Sequence, residues 1–388
     1  MRTVADDSAR VAIRGAAAYR GGTKNRPATA DERGDGMDDQ QAQRRGFLKG
    51  AALAAVSTGM GRRVAAAEPA VPVAAGAAPV LPPGLSIVAE GLLFPEGPIA
   101  MADGSVVLVE MRAKTLSRID RAGKRSVIAT LGGGPNGAAI GPDGAVYVAN
   151  NGGAWGWTPG VTNMPGPPPA VYKGGSIQRV DLKTGAFMTL YDRCDGKLLN
   201  SPNDLVFDGH GGFWFTCYGQ TDNEVRRLGG LYYAKADGSK ITRWRSAQIS
   251  PNGVGLSPDG KVVYMADCML GRLYAFDLKA PGVMATAEVP NDPTAQGRVI
   301  ATLPGYQWLD SLKVEADGSI SVATLFNGGI TTFQPDGRYV HVPMPDPVTT
   351  NLCFGGADLR DAWITGSSSG RLYRMRWPRP GLKMAHTA

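Results

Sequence analysis

A strand–turn–strand unit recurs six times along this chain, and no other feature of the sequence restricts the fold as strongly. In each unit, two short runs rich in Val, Ile, Leu, Phe or Tyr flank a tight turn such as Asp-Gly, as in a β-hairpin. The units are GPIAMADGSVVLVE from Gly97, GAAIGPDGAVYVAN from Gly137, DLVFDGHGGFWFTC from Asp204, GVGLSPDGKVVYMAD from Gly253, SLKVEADGSISVATL from Ser311 and LCFGGADLRDAWITG from Leu352. No helical pattern of any length follows residue 84. The chain is therefore predicted to be all-β.

The spacing of the units predicts the architecture. Their starts are about 51 residues apart on average, and a four-stranded propeller blade needs roughly 40–50 residues. Further strand-like runs lie between the units, for example SIQRVDLKTGAFMTLY. We therefore predict one domain over residues 85–378, a six-bladed β-propeller with four antiparallel strands per blade, followed by a C-terminal tail at 379–388.

The second interval is longer than the others because it contains residues 151–175, which are rich in Gly and Pro and carry Trp155 and Trp157. Such a composition is typical of a loop. Two interpretations remain open: a lid over a pocket, or a loop that packs its tryptophans against the rim of a blade.

The N-terminal region is predicted to lie outside the domain. Residues 44–49, Arg-Arg-Gly-Phe-Leu-Lys, resemble a twin-arginine export signal, and a short apolar stretch and Ala65-Ala66-Ala67 follow. We expect residues 1–67 to be a leader cleaved after Ala67, with Met37 as an alternative start, and residues 68–84 to be a linker. The expected partner is the twin-arginine export machinery, and the expected location is the periplasm or the exterior.

The net charge of +7 depends largely on this leader. Twelve of the 41 basic and seven of the 34 acidic residues lie in 1–67, which leaves 29 and 27, a net charge of +2. No cluster of Lys and Arg with interleaved aromatic residues remains after residue 67, so we expect no nucleic-acid partner. No stretch after the leader has the length of a membrane helix, so we expect no membrane span.

Cysteine and histidine add few candidate sites. Cys194, Cys217, Cys268 and Cys353 lack the spacing of a metal site, and buried thiols and disulfides both remain open. The three histidines, His210, His341 and His386, lie in a turn, an alternating strand and the tail. This arrangement disfavours a Ser-His-Asp triad or a three-histidine zinc site.

A polar residue stands immediately before each unit. If the units are blades around an axis, these six side chains form a ring at one depth in the central channel. Asn and Asp also start turns, but Glu is a poor turn former, and occurrence at all six starts favours a shared inward role. Carboxylate and amide oxygens suit a hard cation such as calcium. The six residues are Glu96, Asn136, Asn203, Asn252, Asp310 and Asn351.

With these motifs the chain resembles the gluconolactonase, senescence marker protein (regucalcin) and luciferin-regenerating enzyme family of metal-dependent six-bladed propellers. The resemblance rests on FPEGP at 94–98, NSPND at 200–204, SPNGVGLSPDG at 250–260 and TNLCFGG at 350–356. It implies one divalent metal, for which calcium is preferred and zinc, magnesium and manganese remain alternatives. The implied metal ligands are Glu96, Asn203, Asn252 and Asp310.

The same resemblance implies a hydrolase that opens the ring of a lactone by means of a metal-activated water and a carboxylate general base. Asp310 is the preferred base and Glu96 the alternative. The animal members have an arginine where this chain has Ser201, whereas bacterial lactonases share the serine, so the resemblance does not specify a sugar lactone. The residues expected to contact substrate are Asn136, Asn200, Asn203, Tyr218, Trp155, Trp308 and Asn351.

Two other functions remain open from the sequence. Propellers are common binding scaffolds, so a propeller that binds a small ligand or a partner without turnover is one alternative. An ester hydrolase or lyase that uses the same metal site is the other.

Overall fold

The computed structural model describes residues 81–157, 163–166, 168–221, 224–288 and 297–387. Within these ranges the chain is all-β and forms six antiparallel blade sheets, five of four strands and one with a short fifth strand, which confirms the predicted six-bladed propeller. These ranges contain no helix long and apolar enough to cross a membrane. The predicted leader and most of the predicted linker lie outside the described residues.

The strands are arranged so that each blade runs outward from the central channel. The first strand, β1 (Ser86–Ala89), belongs to the last blade. Blade 1 contains β2 (Pro95–Ala100), β3 (Val106–Glu110), β4 (Thr115–Ile119) and β5 (Arg125–Thr130). Blade 2 contains β6 (Pro135–Ile140), β7 (Val146–Asn150), β10 (Ser176–Val180) and β11 (Phe187–Tyr191). A separate hairpin of β8 (Gly156–Trp157) and β9 (Pro165–Gly166) is inserted between β7 and β10.

A short hairpin, β12 (Arg193–Cys194) and β13 (Lys197–Leu198), leads to blade 3. Blade 3 contains β14 (Pro202–Phe207) and β15 (Gly212–Cys217), then a short hairpin of β16 (Gln220–Thr221) and β17 (Arg226–Arg227), and then β18 (Gly229–Lys235) and β19 (Ile241–Gln248). Blade 4 contains β20 (Pro251–Leu256), β21 (Val262–Asp267), β22 (Arg272–Ala280), a short added strand β23 (Val283–Met284), and β24 (Arg298–Thr302).

Blade 5 contains β25 (Trp308–Val314), β26 (Ile320–Leu325), β27 (Gly329–Phe333) and β28 (Tyr339–Pro343). Blade 6 contains β29 (Thr349–Gly355), β30 (Asp361–Gly366) and β31 (Arg371–Arg376), and its outermost strand is β1. The antiparallel pairing of β1 with β31 joins the two ends of the domain and closes the ring. Closure leaves few free sheet edges.

The inner strands of each blade are buried on both faces, which explains why they are apolar at successive positions, whereas outermost strands such as β5, β11 and β28 are largely exposed. In β3, Val107 and Val109 contact blade 2, whereas Val106 and Leu108 contact blade 6. Six hydrophobic clusters of this kind fill the six interfaces between neighbouring blades. The alternation of side chains along a strand therefore supplies a core on either side.

The four cysteines are buried and free. Of the two alternatives that the sequence left open, the structure has the thiols and not the disulfides. Burial raises the pKa of Cys217 and of Cys268, so neither thiol is a ready nucleophile.

The C-terminal tail packs against the propeller. The backbone N–H of Leu382 donates to the carbonyl of Val314 at 2.9 Å, and Met384 packs against the cluster between blades 3 and 4. The ring of His386 contacts that of Phe207, with centroids 5.4 Å apart. The tail thus lies along the inner strands of several blades.

Candidate metal and substrate site

A cavity of about 310 Å³ lies in the central channel, and its lining includes five of the six ring residues. Glu96, Asn136, Asn203 and Asn252 are each the second residue of an innermost strand, and Asp310 is the third residue of β25. The predicted ring therefore exists as a set of equivalent positions on neighbouring strands. The full lining is Phe94, Glu96, Met111, Asn136, Trp155, Met164, Pro165, Asn203, Tyr218, Asn252, Cys268, Trp308, Asp310, Leu325, Phe326 and Val348.

A β-bulge that recurs in every blade turns these side chains towards the channel. The pairing of each innermost strand with its neighbour shifts register at or beside the ring residue, for example between Glu96 and Ile99. Such bulges redirect a side chain and are frequent beside functional sites.

Glycine after a ring residue serves close approach of the strands. A Cβ at Gly97, where φ is +50°, would lie 2.6 Å from the carbonyl oxygen of Asn136, and one at Gly253 would lie 2.7 Å from that of Asp310. Glycine follows Glu or Asn in these motifs because the innermost strands lie too close together there for a Cβ atom.

Glu96 is buried and its carboxylate is oriented by two donors. Its Oε2 accepts hydrogen bonds from the backbone N–H of Gly97 and from Nδ2 of Asn351, both at 2.9 Å. Burial raises the pKa of Glu96 to about 7, and its hydrogen bond with Asn351 opposes this shift. The second carboxylate oxygen, Oε1, is the one left for another partner in the cavity.

Asp310 shares this environment. Burial, and after it the neighbouring charge of Glu96, raise the pKa of Asp310 well above the ordinary value, whereas a hydrogen bond with Asn252 lowers it. Two buried carboxyl groups that repel each other stay ionised at neutral pH only if a cation lies close to them.

The amide groups of the ring supply the test of whether a metal fits. The Oδ1 atoms of Asn203 and Asn252 are buried and have no hydrogen-bond partner. An unpartnered buried carbonyl oxygen costs roughly 1–3 kcal/mol, and two such atoms beside two carboxylates form an all-oxygen ligand set. The described ranges hold no group of three or more His, Cys, Asp or Glu placed to hold a metal ion, so a ligand set at the ring depends on the amide oxygens as well as the two carboxylates. The donors therefore fit a hard cation of the calcium type.

A family model described as the SMP-30/Gluconolactonase/LRE-like region matches residues 94–368. The chain belongs to this family. A gluconolactonase from Zymomonas mobilis subsp. mobilis is 26% identical over 235 residues, 57% of this chain and 58% of that protein, so the chain matches less than two thirds of its relative's length.

Two solved structures share the fold of this family member. A gluconolactonase from Xanthomonas campestris aligns with a TM-score of 0.59 at 23% identity and covers 76% of this chain and 89% of its own. A calcium-binding protein, regucalcin, from Agrobacterium tumefaciens aligns with a TM-score of 0.56 at 20% identity, over 76% and 95% of the two chains. The family resemblance that the motifs predicted is confirmed.

Five of the seven residues predicted to contact substrate line the cavity of this family member: Asn136, Asn203, Tyr218, Trp155 and Trp308. The other two do not. Asn351 lies fully buried behind Glu96. Asn200 precedes β14, and it lines a separate depression together with Tyr172 and Arg227.

The sequence reasoning missed several residues that line the cavity, and they share a position. Met111, Cys268 and Phe326 each follow the last residue of the second strand of their blade, as the predicted Tyr218 also does. In a propeller this position lies at the same end of the blade as the ring residue. The repeat that located the ring could therefore have located these side chains as well.

The hairpin of β8 and β9 lies beside the mouth of the cavity. Trp155 and Met164 line the cavity, while the ring of Trp157 packs 5.4 Å from that of Phe94. The side-chain amide of Asn163 donates to the carbonyls of Leu92 and Ser367, at 3.2 and 2.8 Å. The segment thus covers part of the cavity and also packs on the rim, so both interpretations of this loop apply.

A second charged layer lies next to the ring, on β25 and β14. The Nζ of Lys313 is 3.7 Å from Oδ2 of the buried Asp204 and 3.5 Å from Oδ1 of Asn351. Burial raises the pKa of Asp204, and the charge of Lys313 opposes this shift. Beyond this layer, Lys313 contributes to two smaller cavities bordered by the tail residues Met384 and Ala385.

Proposed function

We propose that this chain hydrolyses a lactone with a divalent cation held by Glu96, Asn203, Asn252 and Asp310. The observation that carries the proposal is the pair of unpartnered buried amide oxygens beside two carboxyl groups of raised pKa. Relatives named gluconolactonase and lactonohydrolase support the reaction class. Calcium is preferred because the ligands are all oxygens and the Agrobacterium relative is described as calcium-binding; zinc, magnesium and manganese are the alternatives.

When bound, the cation polarises the lactone carbonyl and lowers the pKa of a neighbouring water. The residues of the chain supply the rest. Asp310 accepts a proton from the attacking water, whose oxygen bonds to the carbonyl carbon. The ring C–O bond then breaks, the alkoxide oxygen takes up the proton, and a hydroxy acid leaves. Asp310 is the preferred base and Glu96 the alternative, and both carboxyl groups have raised pKa values in the cavity.

The remaining polar lining residues fit a binding role. The amide of Asn136 is at the ring but outside the proposed ligand set, so it is available to orient the lactone ester group. Trp155, Trp308 and Tyr218 form walls beside the ring. In this proposal the lactone ester group reacts at the polar ring, and the aromatic side chains beside the ring only bind the substrate.

The experiment that tests the function is hydrolysis of a panel of lactones by the purified protein, with calcium and with chelator. We expect ring opening that disappears on chelation and returns with calcium. Asp310→Asn should lose about 10²–10⁴-fold in kcat while calcium stays bound. The matched control is Asp336→Asn, an exposed carboxylate in a turn of the same blade, which should retain full activity.

Four results would contradict parts of this proposal. Activity that is indifferent to chelator would remove the metal. Full activity of a calcium-loaded Asp310→Asn variant would remove the base. A calcium-loaded protein that opens no lactone yet binds small ligands would favour the binding propeller, and turnover of open-chain esters or an eliminated product would favour the ester hydrolase or lyase.

We also propose that the protein acts in the periplasm or outside the cell, on the basis of Arg44-Arg45 and the apolar stretch that follows. Fractionation of cells that carry Arg44→Lys together with Arg45→Lys tests this location. We expect the doubly substituted chain to stay inside with its leader attached, and equal export of both forms would contradict the proposal.

A further inference from the structure

The wall of the cavity differs in chemistry from its floor. The carboxyl and amide side chains of the lining all belong to the ring: Glu96, Asn136, Asn203, Asn252 and Asp310. Above them the described lining is aromatic, aliphatic or sulfur-containing: Phe94, Met111, Trp155, Met164, Pro165, Tyr218, Cys268, Trp308, Leu325, Phe326 and Val348. A polyhydroxylated ligand would need a hydrogen-bond partner for each buried hydroxyl, and each hydroxyl left without one weakens its binding.

Two aromatic residues of the wall are held in an unfavourable backbone conformation. Phe94 has φ of +57° and Phe326 has φ of +74°, in the left-handed region that L-residues with a Cβ avoid. Residues in such a conformation are energetically unfavourable and cluster at functional sites. Phe94 is buried against Trp157, and Phe326 is 42% exposed beside Trp308. The strain at Phe326 is not offset by complete burial, which indicates that its ring serves the cavity.

The apolar wall continues to the protein surface. The ring of Tyr306, 74% exposed, stacks on that of Phe326 with centroids 4.9 Å apart. Met269 and Leu270, in the turn after the cavity residue Cys268, are also exposed. Exposed aromatic side chains that continue from a cavity suit a ligand that extends beyond it.

We propose that the substrate is a lactone with a bulky apolar substituent, aryl or alkyl, and not a hydroxylated sugar lactone. This inference rests on the proposed function of the same site. The ester group lies at the polar ring, and the substituent runs along Trp308 and Phe326 towards Tyr306. Each methylene buried on this wall adds about 0.8 kcal/mol, which is about fourfold in kcat/KM.

The test uses the calcium-loaded full chain and γ-lactones whose unbranched alkyl substituent grows from none to eight carbons. A benzo-fused δ-lactone and glucono-δ-lactone complete the set. We expect kcat/KM to rise roughly 15-fold per added pair of carbons buried on the wall, and glucono-δ-lactone to be among the poorest substrates. A higher kcat/KM for glucono-δ-lactone than for the octyl lactone would overturn the inference and leave the lactonase function intact.

A binding measurement separates this inference from the reaction itself. The matched γ-lactams are titrated against the fluorescence of the tryptophans, two of which line the cavity. An affinity that rises with alkyl length supports the apolar class even if no lactone is opened, whereas equal affinity across the lactams overturns it.

Phe326→Asn is the decisive variant because Asn tolerates a positive φ, so the turn is retained while the aromatic ring is lost. We expect the ratio of kcat/KM for the octyl lactone to that for the unsubstituted lactone to fall at least fivefold. The control is Phe187→Ser on β11, an exposed phenylalanine at the outer edge of blade 2, which should keep the ratio. An unchanged ratio in Phe326→Asn would also overturn the inference.

Discussion

At the scale of single residues, Asn351 has the contacts of a positioning residue. Its Nδ2 donates to Oε2 of Glu96, and its Oδ1 accepts from the N–H of Leu352 at 2.8 Å and lies 3.5 Å from Nζ of Lys313. These partners fix which end of the amide faces Glu96, since a carboxylate and an ammonium attract opposite ends of it. The amide therefore fixes the direction in which Glu96 presents Oε1.

We expect Asn351→Leu to weaken calcium binding about 10–100-fold, the usual loss when a partner of a metal ligand is removed. The isosteric change deletes the donor and keeps the volume. Competition with a chelator of known affinity measures the effect. The control is Thr332→Val in blade 5, which also removes a buried polar group but lies away from the cavity. Equal calcium affinity in wild type and Asn351→Leu would contradict the positioning role.

At the scale of elements, Asn163 attaches the described part of the hairpin of β8 and β9 to the rest of the propeller by two side-chain hydrogen bonds. Both bonds from Asn163 reach carbonyls outside blade 2, one of them next to blade 1 and the other just after β30. Hydrogen bonds of this kind hold the hairpin beside the cavity, while the folding of the blades does not depend on them.

Asn163→Ala should raise KM several-fold with a smaller change in kcat, because two hydrogen bonds of roughly 0.5–1.5 kcal/mol each no longer hold the hairpin. Steady-state kinetics together with limited proteolysis of the hairpin measure this. Gln334→Ala removes a comparable amide bond to Ser319 in blade 5 and should change neither KM nor proteolysis. If Asn163→Ala matches that control in both readouts, the hairpin does not cover the substrate.

The site residues that could be predicted from the sequence are those that recur with the strand–turn–strand unit. Glu96, Asn136, Asn203, Asn252 and Asp310 were predicted because each stands at the same step of a repeat, and the fold repeats with it. The placement of Asn351 was not predictable, since a shared strand position leaves open whether a side chain faces the cavity or a neighbour. The hairpin contacts of Asn163 lie outside the repeat, and only tertiary packing determines them.

At the scale of the whole molecule, acidic groups outnumber basic ones near the ring among the residues that the structure describes. Glu96, Asp310 and Asp204 are buried in it, and Lys313 is the basic partner of Asp204. Without a cation, the folded state favours the neutral form of Glu96, whose pKa is about 7. In the unfolded chain the pKa lies near the ordinary 4.5.

This difference determines how stability changes with pH. Below pH 4.5 Glu96 is protonated in both the folded and the unfolded chain, so in that range it does not make the free energy of unfolding depend on pH. Between pH 4.5 and 7 the unfolded chain ionises first, so the free energy of unfolding of the metal-free protein falls as pH rises, by on the order of 3 kcal/mol. Asp310 and Asp204, whose pKa values are also raised, act in the same direction. A bound cation favours the ionised carboxylates and removes this loss.

We therefore expect calcium to raise the melting temperature more at pH 8 than at pH 5. Thermal unfolding with calcium and with chelator at both pH values measures the difference. Glu96→Gln is the informative comparison, because it removes one titrating group: its metal-free form should lose less stability between pH 5 and 8 than wild type does. A metal-free wild type equally stable at both pH values, or a larger calcium effect at pH 5, would show that these carboxyl groups are not the ones that a cation stabilises.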